Sequence, residues 1–186
     1  MEHFYNKVEG WFEPSDKLIY DRAVNRYNDG DIFVEIGSYK GRSSSAMAVN
    51  IINSKKKIKF YCVDTWEGSE EHKNNKEVID KTLYSLFVKN TKPVYPLINP
   101  IKKLSKQAAN DFEDKKLSFV YIDASHDYKN VMDDLESWYP KIKDGGTLAG
   151  HDWKYKEVQL AILDFIKKYN IDREFVISNN SWEIIL

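Results

Sequence analysis

Apolar positions along this chain follow two alternating patterns. Short apolar runs, such as Ile32 to Ile36 and Phe119 to Ile122, have the length and composition of strands buried on both faces of a parallel sheet. Between them lie segments whose apolar residues recur every three or four positions, as amphipathic helices require. The alternation predicts an α/β fold. Strands are predicted over Asp31–Ile36, Ile58–Val63, Val94–Ile98, Ser118–Ile122 and Thr147–Gly150. Helices are predicted over Leu18–Tyr27, Ser43–Asn53, Lys76–Lys89, Ser105–Phe112, Tyr128–Tyr139 and Val158–Tyr169. Ser15 or Asp16 can cap the first of these, and the serine cluster at Ser43 can cap the second. Val94–Ile98 is flanked by prolines and is therefore placed at a sheet edge. Gly145-Gly146 marks the turn into the Thr147 strand. Glu174–Ser178 and Trp182–Leu186 are strand-like runs joined by Asn179-Asn180, a hairpin signal because asparagine tolerates positive φ. The sheet is thus expected to be mostly parallel, with one antiparallel strand at its C-terminal end.

The chemistry gathers at the ends of these strands. In Asp31 to Ser43, a strand runs into a glycine turn and then a helix, with Glu35 just before Gly37. A dinucleotide site needs G-x-G-x-x-G, so that the backbone can approach a pyrophosphate. Here the middle glycine is replaced by Tyr39, and Glu35 would repel a phosphate. The turn suits a ligand with a ribose and a positive end instead. Asp64 ends the second strand, where a carboxylate can accept from both ribose hydroxyls. Asp123 ends the Ser118 strand, followed by Ser125, His126 and Asp127. His151 and Asp152 follow the next strand. Both sets should face one crevice.

The order Glu35-Ile36-Gly37-Ser38-Tyr39-Lys40-Gly41-Arg42-Ser43, Asp64-Thr65-Trp66, Tyr121 to Tyr128, and Gly145 to Asp152 resembles the class I S-adenosylmethionine (SAM)-dependent methyltransferases. It is most similar to the small family that includes antibiotic and sugar O-methyltransferases. The resemblance spans about Asp31 to Asp152. It implies a Rossmann-like sandwich of seven strands ending in an antiparallel hairpin, in one domain over residues 1–186, with the N-terminal 30 residues packing on the sheet. It implies that Glu35, Gly37, Ser38, Asp64, Thr65, Trp66, Ser105 and Asp123 hold SAM. Glu35 is expected to meet the ligand's amino group, Trp66 to cover the adenosine and Ser105 to contact adenine. Core packing is the alternative for Trp66, and a helix cap the alternative for Ser105. His126 occupies the position where metal-dependent relatives carry a base, three residues after Asp123. Those relatives usually have two carboxylates, or Asp-Asn, where this chain has His151-Asp152. Asp123 and Asp152 can ligate Mg²⁺ or Mn²⁺. His151 can join a softer ion, act as a second base, or bond the backbone.

Net charge is −1, from 28 basic and 29 acidic residues, which disfavours a nucleic-acid protein held by bulk charge. The single Cys62 excludes an intramolecular disulfide, and no leader or membrane-spanning run is visible; a cytoplasmic setting is expected. The segment Glu67 to Asn75 is polar and unpatterned, as a loop over the ligands would be. The expected activity is methyl transfer to a hydroxyl of a small molecule, a sugar among the candidates, by a chain that permits a homodimer. Two rivals are a metal-dependent oxygenase or hydrolase built on His126, His151 and the aspartates, and a non-catalytic SAM- or nucleotide-binding module.

Overall fold

The computed structural model describes residues 1–69 and 72–186. Residues 70 and 71, within the polar segment expected to overlie the ligands, lie outside the described residues. Seven strands form one sheet: β1 (Ile32–Ile36), β2 (Lys59–Asp64), β3 (Ile98–Lys102), β4 (Leu117–Ile122), β5 (Ile142–Gly150), β6 (Phe175–Ser178) and β7 (Ser181–Ile185). Their order is β3-β2-β1-β4-β5-β7-β6. The first five are mutually parallel, and β7 runs antiparallel to both β5 and β6. This is the mostly parallel, hairpin-ended sheet expected.

Among the described residues, seven helices flank the sheet: α1 (Pro14–Arg26), α2 (Arg42–Ser54), α3 (Lys76–Ile79), α4 (Leu83–Thr91), α5 (Ser105–Ala109), α6 (Tyr128–Trp138) and α7 (Lys156–Lys168). The two-residue period of each strand sends neighbours to opposite layers. Phe33, Phe60, Phe119 and Tyr121 join Tyr20, Met47 and Phe87 in one apolar cluster. Val34, Ile36, Val120 and Leu148 join Leu135, Trp138, Phe165 and Trp182 in the other. Glu35 therefore shares the face of Phe33, under α1 and α2.

Three elements shift at an end by four residues or more from the sequence reading, and one predicted helix is broken. Helix α1 begins at Pro14, with Glu13 as N-cap and Asp16 closing a capping box; neither Ser15 nor Asp16 is the cap itself. The predicted helix 76–89 is two, because Lys81 takes a left-handed φ of 56° and Ile79 is exposed, so only Leu83 and Phe87 pack. The edge strand is Ile98–Lys102, because Pro96 falls in a 3-10 turn at Tyr95–Leu97. Pro100 is tolerated there because β3 is an edge strand. Strand β5 already begins at Ile142, and Gly145-Gly146 lie in a bulge where the register with β4 shifts, not in a turn before the strand.

Candidate active site

The carboxyl ends of β1, β2, β4 and β5 open into one cavity of about 720 Å³, a size suited to a small-molecule ligand. Adjacent strands are stepped together at this end. Gly37 N–H donates to the Val63 carbonyl at 2.9 Å, Asp123 N–H to Ile36 at 2.8 Å and His151 N–H to Ile122 at 3.1 Å. Gly37 has φ of 89°, and a Cβ built there would lie 1.9 Å from the Asp123 carbonyl oxygen. The glycine is thus required first by the approach of one strand end to another, and only then by a ligand.

Asp64 reaches back under the turn. Its two oxygens accept from Tyr39 N–H at 2.8 Å and Trp66 N–H at 2.7 Å. Burial raises its carboxyl above the ordinary carboxylate value, against the pull of these backbone donors. The backbone N–H groups of Ser38 and Thr65 also act on the carboxylate, and Asp64 and Thr65 line the cavity.

Two expected ligand contacts are redirected by the fold. Glu35 is not among the residues lining the cavity. The period of β1 turns it into the layer beneath, where it accepts from Tyr20 and Ser38 hydroxyls at 2.8 Å and from Ser44. It braces the motif turn, and burial raises its pKa in spite of those donors. Trp66 is likewise absent from the lining. It packs on Tyr84 and Phe87 at 4.8 Å and donates its indole N–H to the Tyr39 carbonyl at 2.9 Å, the core-packing alternative. Ser38 lines the cavity, but its hydroxyl is engaged by Glu35. Ser105 begins α5, lines the cavity and accepts from Trp138 Nε1 at 2.8 Å.

The other end of the cavity carries the ionisable cluster. Asp152, at a left-handed φ of 64°, bridges two imidazoles: His126 Nε2 at 2.8 Å and His151 Nδ1 at 3.1 Å. Such backbone strain gathers at functional positions. Asp123 lies 3.7 Å from His151 Nδ1. The His126 ring stacks on Tyr155, with centroids 4.5 Å apart and planes within 10°. Burial alone would lower the pKa of His151. The Asp152 bond and the carboxylates of Asp123 and Asp16 outweigh it and raise the value to about 9. Asp152 is held well below the usual carboxylate range: burial opposes this, but the two histidines prevail. Asp123 goes the other way, raised by burial although His151 pulls it down. One ligand atom each from Asp123, His151 and Asp152 lies within 4.8 Å of the others. Together they form a candidate site for a metal ion with mixed oxygen and nitrogen donors.

Residues 34–153 match the Methyltransferase domain family. The chain belongs to that family. The uncharacterised protein y4gI of Sinorhizobium fredii is 24% identical over 124 residues, 67% of this chain but only 13% of that protein's length. Among solved structures, the O-methyltransferase NovP superposes with a TM-score of 0.69 at 15% identity, over 92% of this chain and 77% of NovP. CalS11, a TDP-rhamnose 3'-O-methyltransferase of calicheamicin biosynthesis, does so at 0.60 and 15%, over 92% and 78%. A Streptococcus mutans protein regarded as a methyltransferase and solved in complex with SAH scores 0.63 at 11%, over 94% and 99%. The architecture is that of the SAM-dependent methyltransferases.

Several site residues of this methyltransferase domain escaped the sequence reading. Asp16 of α1 accepts from Tyr121 at 2.6 Å and Ser181 at 2.5 Å, and lies 3.7 Å from His151 Nε2. Asn180, read as a turn former, presents Nδ2 to His151 Nε2 at 3.1 Å. Which of the two atoms donates in that contact is set by the protonation of the His151 ring. No local signal exposes these partners, since they come from α1 and the terminal hairpin. Asp127, by contrast, caps α6 as its position suggested, accepting from Asn130 N–H at 3.0 Å.

Asp134 also lines the cavity and was missed. Burial raises its pKa to about 6, against the Ser105 hydroxyl bond. A folded-state value above the unfolded one means that protonation favours the native state. The contribution is complete below about pH 4 and is lost as pH rises through 6. Ionised Asp134 thus costs the fold up to about 3 kcal/mol at neutral pH. Asp134→Asn is expected to be more stable than wild type by about 2 kcal/mol at pH 8, allowing for an imperfect amide fit. The two should converge near pH 4. Urea unfolding at both pH values checks this; a difference independent of pH would refute it.

Proposed function

We propose that this protein transfers the methyl group of SAM to a hydroxyl of a small molecule, a sugar among the candidates. One observation supports this reading above the rest: a single cavity joins the Asp64 end, built for a ribose, to the Asp152 bridge between two histidines. Asp64 and Thr65 hold the nucleoside, Gly37 and Ser38 form the turn against it, and Ser105 marks the adenine side. The bound donor supplies a methyl already activated by its sulfonium. What the chain must add is alignment and proton removal. His126 acts as general base. It takes the proton of the acceptor hydroxyl, and the Asp152 carboxylate beside its Nε2 stabilises the imidazolium that results. Tyr155 keeps the ring in plane. His151 orients Asp152 from the opposite side.

A divalent ion such as Mg²⁺ or Mn²⁺ would be held by Asp123, His151 and Asp152, and would lower the pKa of a bound hydroxyl. The acceptor is a free small molecule rather than nucleic acid or membrane, in a cytoplasmic setting, and a homodimer would further close the site. Among the described residues, no helix is long and apolar enough to cross a membrane.

Isothermal calorimetry with S-adenosylhomocysteine is expected to show binding, and Asp64→Ala to weaken it at least ten-fold, because two ribose hydroxyls lose their acceptor. No binding by wild type at millimolar ligand would remove the reading. Treatment with EDTA followed by Mg²⁺ or Mn²⁺, in an assay of SAM turnover over sugar and phenol acceptors, separates metal-assisted from metal-free transfer.

A further inference from the structure

A short N-terminal strap lines the cavity through Glu9, Gly10, Trp11 and Glu13. Its two ends are tied to opposite sides of the site. Arg42 Nη1 donates to the Val8 carbonyl at 3.2 Å and Lys40 holds Glu9 at 2.9 Å, both from the motif turn. At the other end, Glu13 accepts from Asn179 Nδ2 at 2.6 Å, and its N–H donates to Asp16 at 2.6 Å. Lys40 is itself buried and also bonds Glu77, so it locks the strap to α3. Within the strap, Phe12 points inward, packing on Tyr5 and Tyr20 at 5.2 and 5.3 Å.

Its neighbour Trp11 points the other way and lines the cavity. Trp11 is 64% exposed, whereas Trp66, Trp138 and Trp182 are all at 2% or less. Its ring leans on Tyr39 and His72, with centroids 5.7 and 5.6 Å apart, and those two rings stack at 5.0 Å. Part of a large apolar ring is therefore packed on two other rings and the rest is left exposed, at the cavity it lines. Leaving such a surface in water forgoes the stabilisation that covering it would bring. An exposed aromatic face lining a cavity matches a ligand that brings a flat or CH-rich face of its own.

We infer that Trp11 is the stacking platform for the methyl acceptor, and that the acceptor is a hydroxylated ring, its apolar face on the indole and its hydroxyl directed toward His126. This rests on the methyl-transfer reading above. Sugars and phenols share that chemistry, so the test uses one of each. Saturation-transfer NMR with SAH-loaded protein would measure binding of methyl β-glucopyranoside and of catechol to wild type, Trp11→Ala and Trp11→Phe. The expected result is millimolar binding of at least one probe to wild type, weakened five-fold or more in Trp11→Ala and restored to within two-fold in Trp11→Phe. SAH affinity should be unchanged in all three. Equal probe binding by wild type and Trp11→Ala overturns the inference, as does binding of neither probe. A parallel fall in SAH affinity would assign Trp11 to the donor side and overturn it too. Failure of wild type to bind SAH at all would instead strike the methyl-transfer reading.

Discussion

Gly37→Ala is expected to lose at least ~3 kcal/mol of stability, and to lose SAH binding with it. A residue with a Cβ at this positive φ costs about 1–2 kcal/mol by backbone strain alone. The larger difficulty is the Cβ itself, 1.9 Å from the Asp123 carbonyl oxygen and 2.9 Å from the Ala124 Cα. Those are backbone atoms at the end of a central strand, so they cannot swing aside, and overpacking typically adds another 1–3 kcal/mol. For a chain of this size, that total corresponds to a fall in Tm of roughly 10 °C. Gly30→Ala is the control. Gly30 has nearly the same φ, 87°, but nothing within 4 Å of its built Cβ, so it should show the conformational cost only. Thermal melts of the two variants check the argument, and equal losses would refute the steric part.

The second large effect falls on turnover. His126→Ala should lower kcat at least ~100-fold, the usual scale for removing a general base, with SAH affinity within about three-fold of wild type. The separation is expected because His126 stands at the Asp152 end of the cavity, while Asp64 and the motif turn stand at the other. The His126 side chain is partly exposed and stacked on one tyrosine, so its truncation leaves little of the core disturbed. Unchanged turnover in SAM-consumption assays would exclude His126 as base. A joint loss of turnover and SAH binding would show that it supports the donor site instead.

Much of this was legible along the chain because it depends on local order. The period of the apolar residues set the kind and order of the elements, and Asn179-Asn180 announced the antiparallel return. Asp64, Asp123, His126, His151 and Asp152 could be placed at strand ends because an α/β sheet puts every loop after a strand on one side. Tyr39 in place of a glycine was sufficient to turn the motif away from pyrophosphate.

The face on which a side chain lands was not legible in the same way. Glu35 and Ile36 are adjacent in sequence, yet Ile36 lines the cavity and Glu35 enters the layer beneath, because successive side chains of a strand alternate. Trp66 was drawn into the core by Tyr84 and Phe87, both many residues away. Asp16, a cap candidate in the sequence, became a buried partner of Tyr121 and His151 only when α1 docked on the sheet. By itself, the sequence determined the order of elements and the kinds of chemical group at the strand ends, because hydrophobic period and turn chemistry act over a few residues. Tertiary structure alone decided which carboxylates meet which histidines, and that Trp11 lines the cavity. Those relations arise from contacts between elements far apart in the chain, where packing and electrostatics, rather than local preference, select the geometry.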